Sequence, residues 1–185
     1  MHHLLFLILG ISLIVGCQSD SKTNKNKTST GDVKTILLVR HAEKTNQSQD
    51  PPLSVAGRQR AIRLAKMLKA HPIAAVYSTD FDRTKSTAEP ISAIHNLETQ
   101  IYGTSDLTLL TSNLNELEPG KMAVVVGHSN TTPVVVKLLD KKSSFNLIDE
   151  SDYDNIFIVE IDPKGKVKSR KTTFDAFEVK ILDGH

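Results

Sequence analysis

Short aliphatic runs, each closed by charge, recur along this chain. Residues 33–39 (VKTILLV) form a β-branched and aliphatic run of the kind that fills a parallel strand buried on both faces. Residues 54–70 (SVAGRQRAIRLAKMLKA) switch to helical spacing. There Ser54 is placed to cap; Val55, Ile62, Ala65, Met67 and Leu68 gather broadly on one side, with Arg and Lys on the other. Residues 73–77 predict a second strand and 84–96 a second helix, in which Pro90 predicts a kink or a break. Residues 97–102 predict a strand, 107–117 a helix and 122–126 (MAVVV) the clearest strand of the chain. The helix predicted over 132–139 carries Pro133 in its first turn, where the missing N–H is harmless. Residues 156–161 and 167–174 predict a hairpin around Asp162-Pro163-Lys164-Gly165. Strand and helix in alternation, then a terminal strand pair, predict an α/β fold, a three-layer α/β/α sandwich with a mainly parallel sheet.

The first 31 residues do not fit that pattern. Residues 1–17 (MHHLLFLILGISLIVGC) hold an apolar run too short to span a bilayer comfortably and read as the h-region of a secretory signal. The run ends Ile14-Val15-Gly16-Cys17, which resembles a bacterial lipobox, and Cys17 is the only cysteine in the chain. The expectation is a lipoprotein anchored through lipidated Cys17 to the bacterial cell envelope, facing the periplasm or the exterior. The alternative is a plain secretory signal or membrane anchor with a chance cysteine, and Met1-His2-His3 makes a weak n-region, carrying no Lys or Arg where signal peptides usually have positive charge. Residues 18–31 are polar and of low complexity, a tether averaging roughly 20 Å end to end if flexible. The folded domain is expected over 32–185. Removing Lys22, Lys25, Lys27 and Asp20 from the chain's 23 basic and 21 acidic residues leaves a balanced domain, with no sign of a nucleic-acid surface.

In an open parallel sheet, ligands bind beyond the carboxyl ends of the strands. Arg40 and His41 follow the first predicted strand, residues 78–83 (STDFDR) the second, and Gly127-His128-Ser129-Asn130 follow MAVVV. Arg40 and Arg83 bring planar forks that match phosphate or carboxylate oxygens. His41 and His128 can act as nucleophile, proton carrier or metal ligand. The helix after His128 adds a terminus that favours an anion. Two arginines and a helix N-terminus suit a phosphoryl group better than a dication, so no metal is expected.

ILLVRHAEK resembles the Arg-His-Gly signature of the histidine phosphatase superfamily, in the branch of phosphoglycerate mutases and small phosphohistidine phosphatases. LSVAGRQRA, VYSTDFDRTKSTAEPI and VVVGHSNTTP resemble three further motifs of that family, in its order, and the resemblance extends over residues 33 to about 174. It implies a phosphoglycerate mutase-like fold, His41 as a nucleophile that is transiently phosphorylated, and Arg40, Arg83 and His128 around the phosphoryl oxygens. Ser129 and Asn130 would line or cap the pocket edge. No cofactor is implied. Ala42 stands where glycine is common in the family, and Glu43-Lys44 replaces the polar run of the mutases.

The proton donor stays open between Asp106, favoured by its position after a strand, and Glu43, which would otherwise pair with an arginine. Phosphoramidates or acyl phosphates would need no strong donor. Gly57, Arg58 and Gln59 read as helix packing and solvent contacts, and Glu150, Asp152 and Asp154 as a solvated acidic loop. The expected function is a metal-independent phosphatase acting on phosphorylated small molecules or phosphoproteins. The alternatives are a catalytically silent phosphate-binding lipoprotein of the same fold and, behind it, a phosphomutase.

Overall fold

The computed structural model describes residues 32–177. The segments read as signal peptide and tether, with Cys17, lie outside the described residues.

The sheet grows from β1 (Lys34–Arg40), where every residue from Ile36 onward is buried. Its side chains alternate between two cores. Ile36 and Leu38 join Leu110 and Leu114 of α3 (Leu107–Asn115) and Val135, Val136 and Leu139 of α4 (Thr131–Leu139). Leu37 and Val39 join Leu64 and Leu68 of α1 (Val55–Leu68) and Ala88 and Ile91 of α2 (Asp82–His95). A strand buried on both faces needs helices on both, which is the expected three-layer sandwich. The remaining strands are β2 (Ile73–Ser78), β3 (Thr99–Ile101), β4 (Met122–Gly127), β5 (Asn155–Ile161) and β6 (Val167–Thr173), in the order β3-β2-β4-β1-β5-β6. β1, β2, β3 and β4 pair in parallel, and β5 and β6 add antiparallel strands on the β1 side. The β5–β6 hairpin turns at Gly165, whose φ of 77° favours glycine, while the Asp162 carboxylate accepts from the Lys164 and Lys166 amides.

Three expectations change in detail. On α1 the buried stripe is Gly57, Ala61, Leu64, Ala65, Met67 and Leu68, leaving Val55 and Ile62 exposed. The 61/64/65/68 spacing sets the face, and position 62 lies about 100° away from 61 around the helix. Pro90 does not break the chain into two helices: α2 runs continuously through it. Ala88 and Ile91 on either side are fully buried, so packing outweighs the one amide bond that proline removes. Phe174 leaves β6 and packs into the α1–α2 core with Phe177.

The start of α1 is fixed by sequence in two ways. Ser54 caps it, accepting from the Gly57 amide at 3.0 Å. Gly57 itself lies so close to the chain after β1 that a Cβ there would sit 2.2 Å from the Glu43 carbonyl oxygen. Gly57→Ala should therefore destabilise the fold by about 1–3 kcal/mol through overpacking. A urea midpoint well below wild type is the expected result; an unchanged midpoint would mean that this approach is not structural.

Candidate active site

Parallel pairing sets β1 and β4 in register so that Arg40 lies opposite Gly127. The next amide, of His41, donates to the Gly127 carbonyl at 2.9 Å. His41 and His128 therefore leave the same sheet edge side by side, with ring centroids 5.6 Å apart and planes at 69°. The fit at Gly127 is tight, because a Cβ would stand 2.8 Å from the Tyr102 hydroxyl and 3.0 Å from Thr132 Oγ1. α2 brings Arg83 to the same place, its Nη2 3.5 Å from His128 Nδ1 and its guanidinium 4.5 Å over the Phe81 ring. A cleft of about 490 Å³ opens here, lined among others by His41, Arg83, His128, Ser129, Asn130 and Glu150.

His41 is 3% exposed, and its Nδ1 lies 2.8 Å from the Ala42 carbonyl. A carbonyl only accepts, so the ring proton of neutral His41 sits on Nδ1 and the Nε2 lone pair is left available. Burial, first, and the charges of Arg40, His128 and Arg83 push the imidazole down to about 3, against the Ala42 carbonyl, which favours the charged form. Burial, then Arg83 and Arg40, push His128 down to about 4, against Glu150 and Asp50.

Arg40 is placed differently from the sequence expectation. It is buried beneath the loop before β5 rather than lining the cleft. Its Nη1 reaches the carbonyls of Asp149, Glu150 and Asp152 at 3.0, 2.9 and 3.3 Å, its Nη2 meets the Glu150 carboxylate at 2.7 Å, and Tyr153 stacks at 4.2 Å. The acidic loop read as solvated does expose Glu150, and it is also the clamp on Arg40. Glu150 also accepts from Ser129 Oγ and enters the cleft lining, a role that nothing in its local sequence announced. Hydrogen bonding from Ser129, with Arg40 and Lys44 nearby, holds its carboxyl below the usual range against slight desolvation.

Neither expected proton donor reaches the cleft. Asp106 is exposed and caps α3, accepting from the Thr108 amide at 2.9 Å. Glu43 accepts three hydrogen bonds from Nε and Nη2 of Arg60, which also meets Asp154. Burial would raise Glu43, but the Arg60 hydrogen bonds and charge outweigh it and hold it low. Ser129 and Asn130 do line the cleft. Phe81, Thr104 and Thr131, also in the lining, were not singled out, and Lys44 was noted only as a departure from the mutases; Lys44, Phe81 and Thr131 lie inside the quoted motifs, which is the signal that existed. Among the described residues no group of three or more His, Cys, Asp or Glu side chains is placed to hold a metal ion.

Both imidazoles are ordinary in the unfolded chain, near 6.5, and depressed in the fold. Below that value the unfolded chain binds protons that the folded one refuses, so their contribution to stability is complete above about pH 6.5 and declines as pH falls toward about 4 for His128 and about 3 for His41. In an NMR titration the His41 and His128 ring signals should stay flat from pH 8 to 5.5. A midpoint near 6.5 for either would contradict the burial argument.

Residues 36–108 match the family model of the histidine phosphatase superfamily, branch 1; His128 lies beyond the matched stretch. No match is found among curated proteins. Among solved structures, the chain is similar to the protein histidine phosphatase SixA complexed with tungstate, at 19% identity and a TM-score of 0.63, over 77% of this chain and 98% of that one. It is similar to phosphoglycerate mutase from Bacillus anthracis str. Sterne, at 13% identity and a TM-score of 0.60, over 83% and 98%. A mycobacterial glucosyl-3-phosphoglycerate phosphatase shares 13% identity at a TM-score of 0.59, over 75% and 97%. At such identities these structures show a common fold. The motif match across the first histidine and Arg83, together with that fold, sets this chain beside the histidine phosphatase superfamily.

Proposed function

We propose that this protein is a phosphatase that works through a phosphohistidine on His41, held at a bacterial membrane by lipidated Cys17. The observation that carries the reading is the state of His41, a neutral imidazole anchored at Nδ1 with Nε2 available, set among Arg83, His128 and the start of α4. Nε2 attacks phosphorus, the leaving group departs, and water then releases phosphate from the imidazole, so that one difficult displacement becomes two. Arg83, Lys44 and the backbone amides at the start of α4 offer positive potential where equatorial oxygens gain charge. Arg40 adds its charge from beneath, as fixed by the loop before β5.

The carboxylates narrow the substrate class. Glu150 is the carboxylate among the cleft-lining residues, and it is held ionised. Leaving groups that depart without a strong acid therefore suit the site best, as in phosphoramidates, including phosphorylated histidine side chains, and acyl phosphates. The SixA likeness, to a protein histidine phosphatase, supports the same class. The lipobox resemblance around Cys17 supports the membrane tether and an envelope location.

Full-length protein should hydrolyse a phosphoramidate and an acyl phosphate in excess chelator, and His41→Ala should lose at least about a thousandfold in rate, as expected for removal of a covalent nucleophile. Asp106→Asn should leave the rate within about twofold, since a surface cap contributes to stability rather than chemistry. Equal turnover by His41→Ala would refute the mechanism. Phosphate binding without turnover on any of these substrates would favour the silent binding protein of the same fold.

A further inference from the structure

Two buried threonines behind His128 are unused by the mechanism above. Thr79 follows β2 and is 1% exposed; Thr84 stands in the first turn of α2 and is fully buried. Thr79 Oγ1 lies 2.9 Å from His128 Nε2 and 2.9 Å from Thr84 Oγ1. The Thr84 hydroxyl lies 2.9 Å from the carbonyl oxygens of both Thr79 and Phe81.

Counting protons gives this chain a direction. Carbonyl oxygens only accept, so the single Thr84 proton goes to one of them, and Thr84 Oγ1 meets Thr79 as an acceptor. The Thr79 proton then goes to Thr84, leaving a lone pair toward the ring, and His128 Nε2 must bring the proton between them. The contact at the other ring nitrogen, long and weak, agrees with that answer without fixing it. Nδ1 faces Arg83 Nη2 at 3.5 Å, and a guanidinium has donors only, so in that contact Nδ1 is the acceptor. The charged groups around the ring fit a neutral imidazole: Arg83 from α2, with Arg40 and His41 from the end of β1, against Asp50 from the loop before α1 and Glu150 from the loop before β5.

We propose that Thr79, backed by Thr84, is a positioning residue that holds His128 with its proton on Nε2, so that Nδ1 meets the phosphoryl group as an acceptor and the cleft takes the singly charged, protonated form of its substrate. The consequence for substrate form rests on the phosphatase reading; the tautomer does not. It also supplies the proton that no carboxylic acid in the cleft provides. The hydrogen of the substrate P–OH bonds to Nδ1. As His41 Nε2 forms the N–P bond, the bond to the leaving atom breaks, and that atom takes the electron pair and the relayed proton. Water then forms the new O–P bond, the N–P pair returns to Nε2, and the product leaves as singly charged phosphate.

The test begins with the imidazole nitrogens of the ¹⁵N-labelled full-length protein at pH 7. The expected pattern for His128 is a protonated Nε2 and a bare Nδ1 in wild type and in Thr79→Ser, which keeps the hydroxyl. In Thr79→Val, which keeps the shape, the two tautomers should mix. A bare Nε2 in wild type, or an unchanged pattern in Thr79→Val, would overturn the positioning role whatever the enzyme does. Next, kcat/KM for the acyl phosphate should fall with rising pH as the P–OH group of the substrate loses its last proton. That fall should persist in Thr79→Ser and flatten in Thr79→Val. A kcat/KM level across that ionisation in wild type would overturn the claim on substrate form. If no substrate turns over, the phosphatase reading fails, and the same pH dependence is read from inorganic phosphate binding by ³¹P NMR. Weaker binding as phosphate deprotonates upholds the inference, and tighter binding refutes it.

Discussion

The parallel register of β1 on β4 is the constraint from which the site follows. With Arg40 opposite Gly127, the next residue on each strand is a histidine, and the amide of one is hydrogen-bonded to the strand that carries the other. A slip of one residue would turn every side chain to the opposite face and separate the pair. The register is held by the two cores that β1 serves, since Ile36 and Leu38 fit only the α3–α4 side and Leu37 and Val39 only the α1–α2 side. Hydrophobic alternation in a strand thereby sets the distance between two imidazoles at its end.

Around that pair, the surrounding backbone and hydroxyls decide what each ring nitrogen can do. The Ala42 carbonyl occupies one nitrogen of His41 and leaves the other available. Thr79 and Arg83 divide the two nitrogens of His128 between them. Burial keeps both rings uncharged in a neighbourhood of guanidinium groups, so each retains an unprotonated ring nitrogen near neutral pH. The loop before β5 completes the arrangement from outside, because three of its carbonyls and one carboxylate fix Arg40 against the end of β1.

Much of this was legible in sequence, and the parts that were not share a physical reason. Strands such as MAVVV and the Ser54 cap declare themselves through local pattern, and the strand-end rule then brings His41, Arg83 and His128 together without coordinates. The clamp on Arg40 was not legible: it joins residues more than one hundred positions apart, and three of its acceptors are backbone carbonyls, which every residue possesses. The same holds for Glu150, whose role depends on a loop path rather than on its neighbours. Asp106 misled for the opposite reason. It does follow β3, but its side chain closes locally on Thr108, since an aspartate just before a helix finds the nearest free amide. Pro90 and Ile62 show tertiary packing settling what local rules leave undetermined.

The central claim is that one particular atom, Nε2 of His41, receives the phosphoryl group. The direct measurement is to quench the full-length protein in alkali during turnover of an acyl phosphate, digest it, and locate the phosphorylated residue and ring nitrogen by mass spectrometry and ³¹P NMR. The account predicts phosphate on His41 at Nε2, because the Ala42 carbonyl holds the proton on Nδ1. Phosphate on Nδ1, on His128, or on no histidine while turnover proceeds would contradict it.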